Sequence, residues 1–303
     1  MDSILKQSFQ DFEIIILDDC STDNSTEVIE KYRNNPKVSL IRVNKTNSGS
    51  TFMQWKTGIE AARGKYVWIA EADDEALPEF LEKTVAALEG NPGAAIAFTG
   101  SYIINENGVK QDYEFDKWSK LRCANKLPLR VLDGEKYISH NLYWANYVYN
   151  ASMVLFRRDR YTHNIIADCV KMRNTGDWLF WINLAASGQV VEIYEKLNLY
   201  RKHGCSVTDA GAVNGNGLRE ELFIIKYIET HFKVSRYRKI LRHGHFIKCL
   251  RRNKSVSPEM RRDMYETLRE SLGATQKSFV IERANRVLGH ACPLLISKQR
   301  DRL

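Results

Sequence analysis

Apolar residues follow two rhythms along this chain. In the first hundred residues they form short unbroken runs: Phe12–Leu17, interrupted only by Glu13, then Val38–Val43, Tyr66–Ala70 and Ala94–Phe98. Such runs, rich in β-branched residues, suit strands buried on both faces, as in a parallel sheet. Ser3–Phe12 reads as a short helix plus a turn. Helices are expected over Ser25–Tyr32, from about Ser50 to Ala62, and over Pro78–Glu89. Gly64 stands where glycine commonly closes a helix. Alternation of strand and helix across this region predicts an α/β fold, a mainly parallel sheet flanked by helices.

The segment from Ser101 to Tyr149 is less regular and rich in aromatics. A strand is expected at Ala151–Phe156, a helix at Asp177–Ser187 ended by Gly188, and a strand at Val190–Tyr194. Asn214-Gly215-Asn216-Gly217 reads as a loop, and beyond it the pattern turns helical. Ser257 is placed to cap a helix whose first residue is Pro258. Met260, Met264, Leu268 and Leu272 then recur every fourth residue, an apolar stripe with Arg261, Arg262 and Arg269 off it.

Composition sharpens this reading. The 303 residues are 44% hydrophobic and 27% charged, an ordinary globular mix. No apolar run approaches the roughly 20 residues a membrane-spanning helix needs. The start, Met1-Asp2-Ser3-Ile4, lacks the basic-then-apolar order of a signal peptide. Six scattered cysteines without a C-x-x-C pair point to reduced thiols in a cytoplasmic protein. The net charge of +8 is uneven: from Lys233 onward 18 Lys and Arg face 6 Asp and Glu. That basic end reads either as a solvated helical face or as a surface for anionic lipid. No nucleic-acid-binding motif is present.

Two apolar runs end in acids. Leu17 leads into Asp18-Asp19, and Trp68-Ile69-Ala70 into Glu71-Ala72-Asp73-Asp74. In open α/β sheets ligands bind beyond the carboxyl ends of strands, and parallel strands bring such ends to one edge. Clustered carboxylates suit Mg²⁺ or Mn²⁺ carrying a phosphorylated ligand. The second tract reads equally as an acidic entrance to the helix at Pro78. Asp19 could accept from a base N–H or a ribose hydroxyl, or form an Asx turn; Asp23 suits the turn better. Asp177 is a candidate helix N-cap, with Gly176 supplying the turn.

The order Ser8-Phe9-x-x-Phe12-Glu13-Ile14-Ile15-Ile16-x-Asp18-Asp19-x-Ser21-x-Asp23 resembles the opening of family 2 glycosyltransferases of the GT-A fold. So do Asn47-x-Gly49, Gly58-Ile59-x-x-Ala62-x-Gly64-x-Tyr66, and the acidic tract as a D-x-D-like motif. Gln54-Trp55 and Trp68–Asp74 are similar to bacterial members among polysaccharide enzymes. The likeness resumes at Asn150-Ala151-Ser152-x-x-Leu155-Phe156-Arg157. It continues through Gly176-Asp177-Trp178-x-Phe180-Trp181 and Leu197-Asn198-x-Tyr200-Arg201-x-His203, covering about residues 3 to 210.

The resemblance implies a metal-dependent, inverting transfer of a sugar from a UDP-, GDP- or dTDP-sugar to a saccharide or lipid-linked acceptor, in surface polysaccharide synthesis. It puts Asp18 and Asp19 at the nucleotide, with Asp19 holding the base. Asp73 goes to the ribose, and Asp74 to the metal bridging the diphosphate. Asp177 matches the general base and His203 a residue touching the metal or diphosphate. Arg201 and Trp178 are candidates for the acceptor side, the Trp178 ring able to stack on a sugar or to pack as core. Residues 1–110 would bind the nucleotide-sugar, 111–212 the acceptor, and 213–303 would form a basic helical region, either a solvated face or one that contacts anionic lipid at the inner face of the membrane.

The chain departs from the family at its start. Members open with a strand and then a helix; here Met1 falls inside that helix, so the first, central strand is expected to be missing. Either the true start lies upstream, or the chain is a truncated, non-catalytic remnant that binds partners, the alternative from another class. A nucleotidyltransferase is a second alternative, but it would need a Gly-rich phosphate loop near the N-terminus.

Overall fold

The computed structural model describes residues 1–115, 127–202 and 215–291. In chain order they form α1 (Asp2–Leu5), β1 (Ile14–Asp18), α2 (Ser25–Glu30), β2 (Val38–Val43), α3 (Thr51–Ala61), β3 (Tyr66–Trp68), β4 (Glu75–Ala76), α4 (Phe80–Glu89) and β5 (Ala94–Ile104). After these come β6 (Leu129–Asp133), α5 (Gly134–Tyr137), β7 (Val154–Arg157), α6 (His163–Ala167), α7 (Gly176–Ala186) and β8 (Gln189–Arg201). The remaining helices are α8 (Asn216–His231), α9 (Arg236–Arg252), α10 (Pro258–Glu266) and α11 (Gln276–Ala291). The predicted α/β architecture is the one observed.

The chain divides into two compact units. The first takes the described residues up to Val131, together with Val148–Met172 and the strand that follows Ser187. The second takes Leu132–Tyr147, Arg173–Ala186 and the helices from α8 on. The expected boundaries at 110 and 212 follow the chain, whereas these units interleave. The irregular middle and α7 contribute to the helical unit.

In the first unit β1 and β2 pair in parallel, Leu17 opposite Arg42 and Asp18 opposite Val43. A larger sheet runs β3-β7-β5-β8-β4, with β6 also on β8. Its longest ladder, β5 with β8, is parallel, while β7 runs antiparallel to both β3 and β5, and β4 antiparallel to β8. β1 and β3 thus belong to different sheets, and no ladder carries the two acidic strand ends to one edge. This differs from the expected shared edge. Ile15, Ile16 and Leu17 are accordingly only partly buried, because their sheet has two strands. Helix α3 covers them closely: a Cβ on Gly58 would stand 3.1 Å from Leu17 Cδ1.

The core of this unit lies where α4 packs on the sheet, joining Phe80, Leu81 and Leu88 to Ala97, Leu155, Val191, Ile193 and Leu197. Arg157, buried at the end of β7, donates from Nε to the Ala94 carbonyl at 2.8 Å and from Nη2 to that of Leu88. It thereby adds a second donor to a carbonyl at the C-terminus of α4, which also accepts from the Asn91 N–H at 3.2 Å. Two residues of β4 carry no legible periodicity, so the sequence misses this return strand. It places Glu75 and Ala76 opposite Leu199 and Asn198, directly after the acidic tract.

The second unit is helical. Ser257 caps α10 as expected, its Oγ accepting from the Met260 N–H at 3.2 Å. Met264 and Leu268 of the predicted stripe are buried. Gly244 lets α9 and α11 approach: a Cβ there would lie 2.3 Å from the Ser278 carbonyl oxygen. Arg242 of α9 is fully buried, donating to the Tyr143 carbonyl and to Glu221, each at 2.7 Å. Among the described residues no helix is long and apolar enough to cross a membrane, and Cys20, Cys169 and Cys249 are free thiols.

Candidate active site

β3 stops at Trp68, two residues before the apolar run ends, and the acidic tract follows at Glu71. It is held from several sides. Trp68 Nε1 donates to the Ser152 carbonyl at 2.8 Å, and Ser152 Oγ accepts from the Glu71 N–H at 3.0 Å. Trp55 of α3 donates from Nε1 to Glu71 at 3.1 Å, which gives Glu71 a structural role. A turn closes from the Asp74 N–H to the Glu71 carbonyl.

Asp74 is partly buried. Its Oδ1 accepts from the Arg201 backbone N–H at 2.9 Å, and its Oδ2 from Asn150 Nδ2. Asn150 is oriented in turn by Asn198, whose Nδ2 donates to Asn150 Oδ1 at 3.2 Å and to Ser101 Oγ at 3.0 Å. Burial pushes the Asp74 carboxyl up, and the neighbouring Asp73 charge adds to this against the hydrogen bonds from Arg201, Ser152 and Asn150. Asp73 beside it is exposed. Sequence motifs contain Asn150, Ser152 and Asn198, but their convergence on Asp74 is visible only in the fold.

Asp19 sits at a hub. Its carboxylate accepts from Asn44 Nδ2 at 2.7 Å, from the Ser48 N–H and hydroxyl at 3.0 and 2.7 Å, and from Gln54 Nε2 at 2.7 Å. Burial works to raise its pKa, but the donors from Ser48 and Asn44 outweigh it and hold the group below the ordinary value. Asp18 is buried and accepts from both the N–H and the hydroxyl of Ser21, three residues on. Asp23 accepts from the Ser25 N–H at 2.9 Å, the turn the sequence favours for it. Cys20 between these acids adopts φ 65°, a conformation uncommon outside glycine, and swings the chain from β1 toward α2. Neighbours on α3, Gln54 and Trp55, thus reach Asp19 and Glu71, tying both acidic segments to one helix.

A divalent cation finds a limited foothold. Among the described residues no three His, Cys, Asp or Glu side chains gather as a ligand set. Asp73 and Asp74 supply hard oxygen donors. A carboxylate offers about four lone-pair sites, so the bonds Asp74 accepts from Arg201 and Asn150 leave it further capacity. This fits a Mg²⁺-like ion held by one or two carboxylates plus substrate phosphates, not an all-protein cage. His203 lies outside the described residues.

In the second unit Asp177 is the second residue of α7. Its carboxylate accepts from its own and the Trp178 backbone N–H and, at 2.8 Å, from Asn146 Nδ2. Desolvation outweighs these donors and, with the Glu220 charge adding to it, pushes the carboxyl up to about 6. A carboxylate titrating there is chemically able to accept a proton at neutral pH. Asn146 and Glu220 carry no motif that sequence reasoning could use.

Trp178 and Arg201, expected on the acceptor side, are otherwise engaged. Trp178 is 6% exposed and donates from Nε1 to the Leu142 carbonyl at 2.9 Å, so it packs as core. Trp181 is buried as well. Arg201 donates to the carbonyls of Asp73, Asn105 and Glu106 and to Glu75, clamping the acidic tract from the end of β8. Tyr149, in the first unit, is more accessible and stacks on Phe115 with ring centroids 4.2 Å apart.

Comparison with known proteins identifies the family and the fold. The family described as Glycosyl transferase family 2 matches residues 1–162. The uncharacterized glycosyltransferase MJ1057 of Methanocaldococcus jannaschii is 34% identical over 120 residues, 39% of this chain and 41% of that protein. The uncharacterized glycosyltransferase YibD of Escherichia coli is 27% identical over 240 residues, 78% of this chain and 66% of that protein. The Staphylococcus aureus poly(ribitol-phosphate) beta-N-acetylglucosaminyltransferase TarS is 36% identical over 153 residues, 49% of this chain and 26% of that protein. The chain therefore spans less than two thirds of these relatives. The crystal structure of S. aureus TarS 1–349 in complex with UDP-GlcNAc superposes with a TM-score of 0.60 at 17% identity, covering 94% of this chain and 86% of that one. With a matching family over more than half its length and the GT-A fold of that neighbour, the chain belongs to glycosyl transferase family 2.

Proposed function

We propose that the protein transfers a sugar from a nucleotide-sugar to a saccharide hydroxyl with inversion at the anomeric carbon. The observation that carries this reading is Asp177, a carboxylate fixed at a helix start with its pKa raised to about 6 in a chain of this family. In the transfer Asp177 takes the proton of the acceptor hydroxyl as that oxygen attacks the anomeric carbon. The bond from that carbon to the phosphate oxygen breaks, and the nucleoside diphosphate leaves. Asp74 and the exposed Asp73 are assigned to the diphosphate and ribose, with Arg201 and Asn150 holding them in place. A divalent cation bound through Asp74 would stabilise the charge growing on the leaving group.

UDP is the favoured nucleotide because the TarS neighbour was solved with UDP-GlcNAc. Asp19 remains assigned to the base, and exchange of its hydrogen bonds with Asn44, Ser48 and Gln54 would accompany binding. The surface-polysaccharide role, the lipid-linked acceptor and the inner membrane face extend the same reading, supported by the basic C-terminal region. With the family assigned, the nucleotidyltransferase alternative loses its ground.

The test is release of nucleoside diphosphate from a panel of UDP-, GDP- and dTDP-sugars with Mn²⁺ or EDTA, with and without oligosaccharide acceptors. Metal-dependent turnover of one donor, lost in Asp177→Asn and in Asp74→Asn, is the expected result. No turnover of any donor by a folded protein that also fails to bind UDP would overturn the reading in favour of a non-catalytic form.

A further inference from the structure

The turn that launches α7 is held by a carboxylate from another helix. Glu220 of α8 accepts three consecutive backbone N–H groups: Arg173 on Oε1 at 2.9 Å, and Asn174 and Thr175 on Oε2 at 2.8 Å each. Asn174 Nδ2 and Thr175 Oγ1 add contacts at 3.3 and 3.2 Å. The next two residues are Gly176 and Asp177. The first N–H groups of a helix lack internal partners and are usually satisfied by the helix's own N-cap side chain. Here Asp177 fills that role from inside the helix, and Glu220 holds the turn just before it. Glu220 takes the three N–H groups before the helix, and Asp177 takes its own and that of Trp178.

We propose that Glu220 is a positioning residue for Asp177, fixing the 173–175 turn and thereby the direction in which the Asp177 carboxylate faces its substrate. The proposal rests on Asp177 acting as the base. Five contacts to one partly buried carboxylate leave the turn little freedom, and hydrogen bonds to an ionised acceptor are about twice as strong as neutral ones. Misplacing a catalytic group by about 1 Å can cost on the order of 100-fold in rate. Glu220 also contributes a like charge that helps raise the Asp177 carboxyl, so the contact that orients the base also tunes it.

The experiment uses the full chain with [4-¹³C]aspartate labelling, Asp177→Asn identifying the Asp177 carboxyl resonance. Glu220→Gln preserves shape but removes the charge and one acceptor oxygen; Glu220→Asp retains the charge. In Glu220→Gln the Asp177 titration moves to lower pH, and kcat for the nucleotide-sugar that the wild type turns over falls roughly 10- to 100-fold with donor KM within about twofold. Glu220→Asp restores part of both. If Asp177 titrates and turns over in Glu220→Gln as in wild type, the proposal is overturned while the base assignment stands. If Glu220→Gln loses its far-UV circular dichroism and donor binding together, Glu220 is a fold residue and the proposal fails. If Asp177→Asn keeps near-normal turnover, the base assignment itself is wrong.

Discussion

The side-chain amide of Asn146 donates to Asp177 Oδ2 at 2.8 Å, supporting a carboxylate that burial pushes up to about 6. The unfolded group titrates near 3.8, so the folded protein binds an extra proton between the two values. Stability from this group is therefore fully present below about 3.8 and is lost as pH rises through about 6. Asp177→Asn carries no charge to desolvate. It is expected to melt at a higher temperature than wild type at pH 8, with the gap closing toward pH 4, while its turnover is lost. Thermal denaturation at the two pH values checks this; a variant that melts lower at pH 8 contradicts the desolvation account.

Asn150 links Asp74 to the buried pair Asn198 and Ser101. Asn150→Ala removes a hydrogen bond to a charged acceptor, worth about 1.5–3 kcal/mol. Mn²⁺-dependent UDP affinity, measured by calorimetry, should fall by about 10-fold or more. Asp74→Asn should leave an affinity that no longer responds to EDTA. Unchanged binding in both variants would remove Asp74 from the metal site.

Asp19 holds the segment from Asn44 to Gln54. Asp19→Ala strands donors from Asn44, Ser48 and Gln54 and should cost about 2 kcal/mol by urea denaturation. Because the folded pKa is depressed, the wild-type advantage is present above the ordinary carboxyl range and disappears as pH falls through the lowered value. An equal difference at pH 7 and at strongly acid pH would show that charge plays no part.

Arg242 is fully buried between the Tyr143 carbonyl and Glu221, on the helix that also sets His243 against Glu229 at 2.7 Å. Arg242→Ala leaves those acceptors unpaired and should cost about 3–5 kcal/mol; Arg242→Met, which fills the space, should cost less. Denaturant midpoints for the two variants give the comparison.

Much of the local structure is legible in the chain. Val38–Val43 emerges as the strand its apolar run predicts, and α3 falls between Ser50 and Ala62 as expected. Ser257 and Pro258 mark the start of α10 because a cap is a contact between near neighbours. β5 and β8 run past their apolar runs, to Ile104 and Arg201, because pairing with each other extends them through polar residues such as Ser101 and Asn198. Trp178 illustrates the limit at the site: its position after Asp177 is compatible with a sugar platform or with core, and only the Leu142 carbonyl above its Nε1 decides for core.

The sequence by itself determined the alternation of strands and helices, the family, and the acids at Asp18-Asp19, Asp73-Asp74 and Asp177, because these depend on residue type and short spacing. Tertiary structure decided the partners. Asn150 meets Asp74 across 76 residues, Glu220 meets the start of α7 across 45 to 47, and β1 and β3 pair in separate sheets. Hydrogen-bond partners so distant in the chain leave no periodic trace in it. Their geometry arises only when each unit has folded around its own residues, and burial within that unit raises the carboxyls of Asp74 and Asp177.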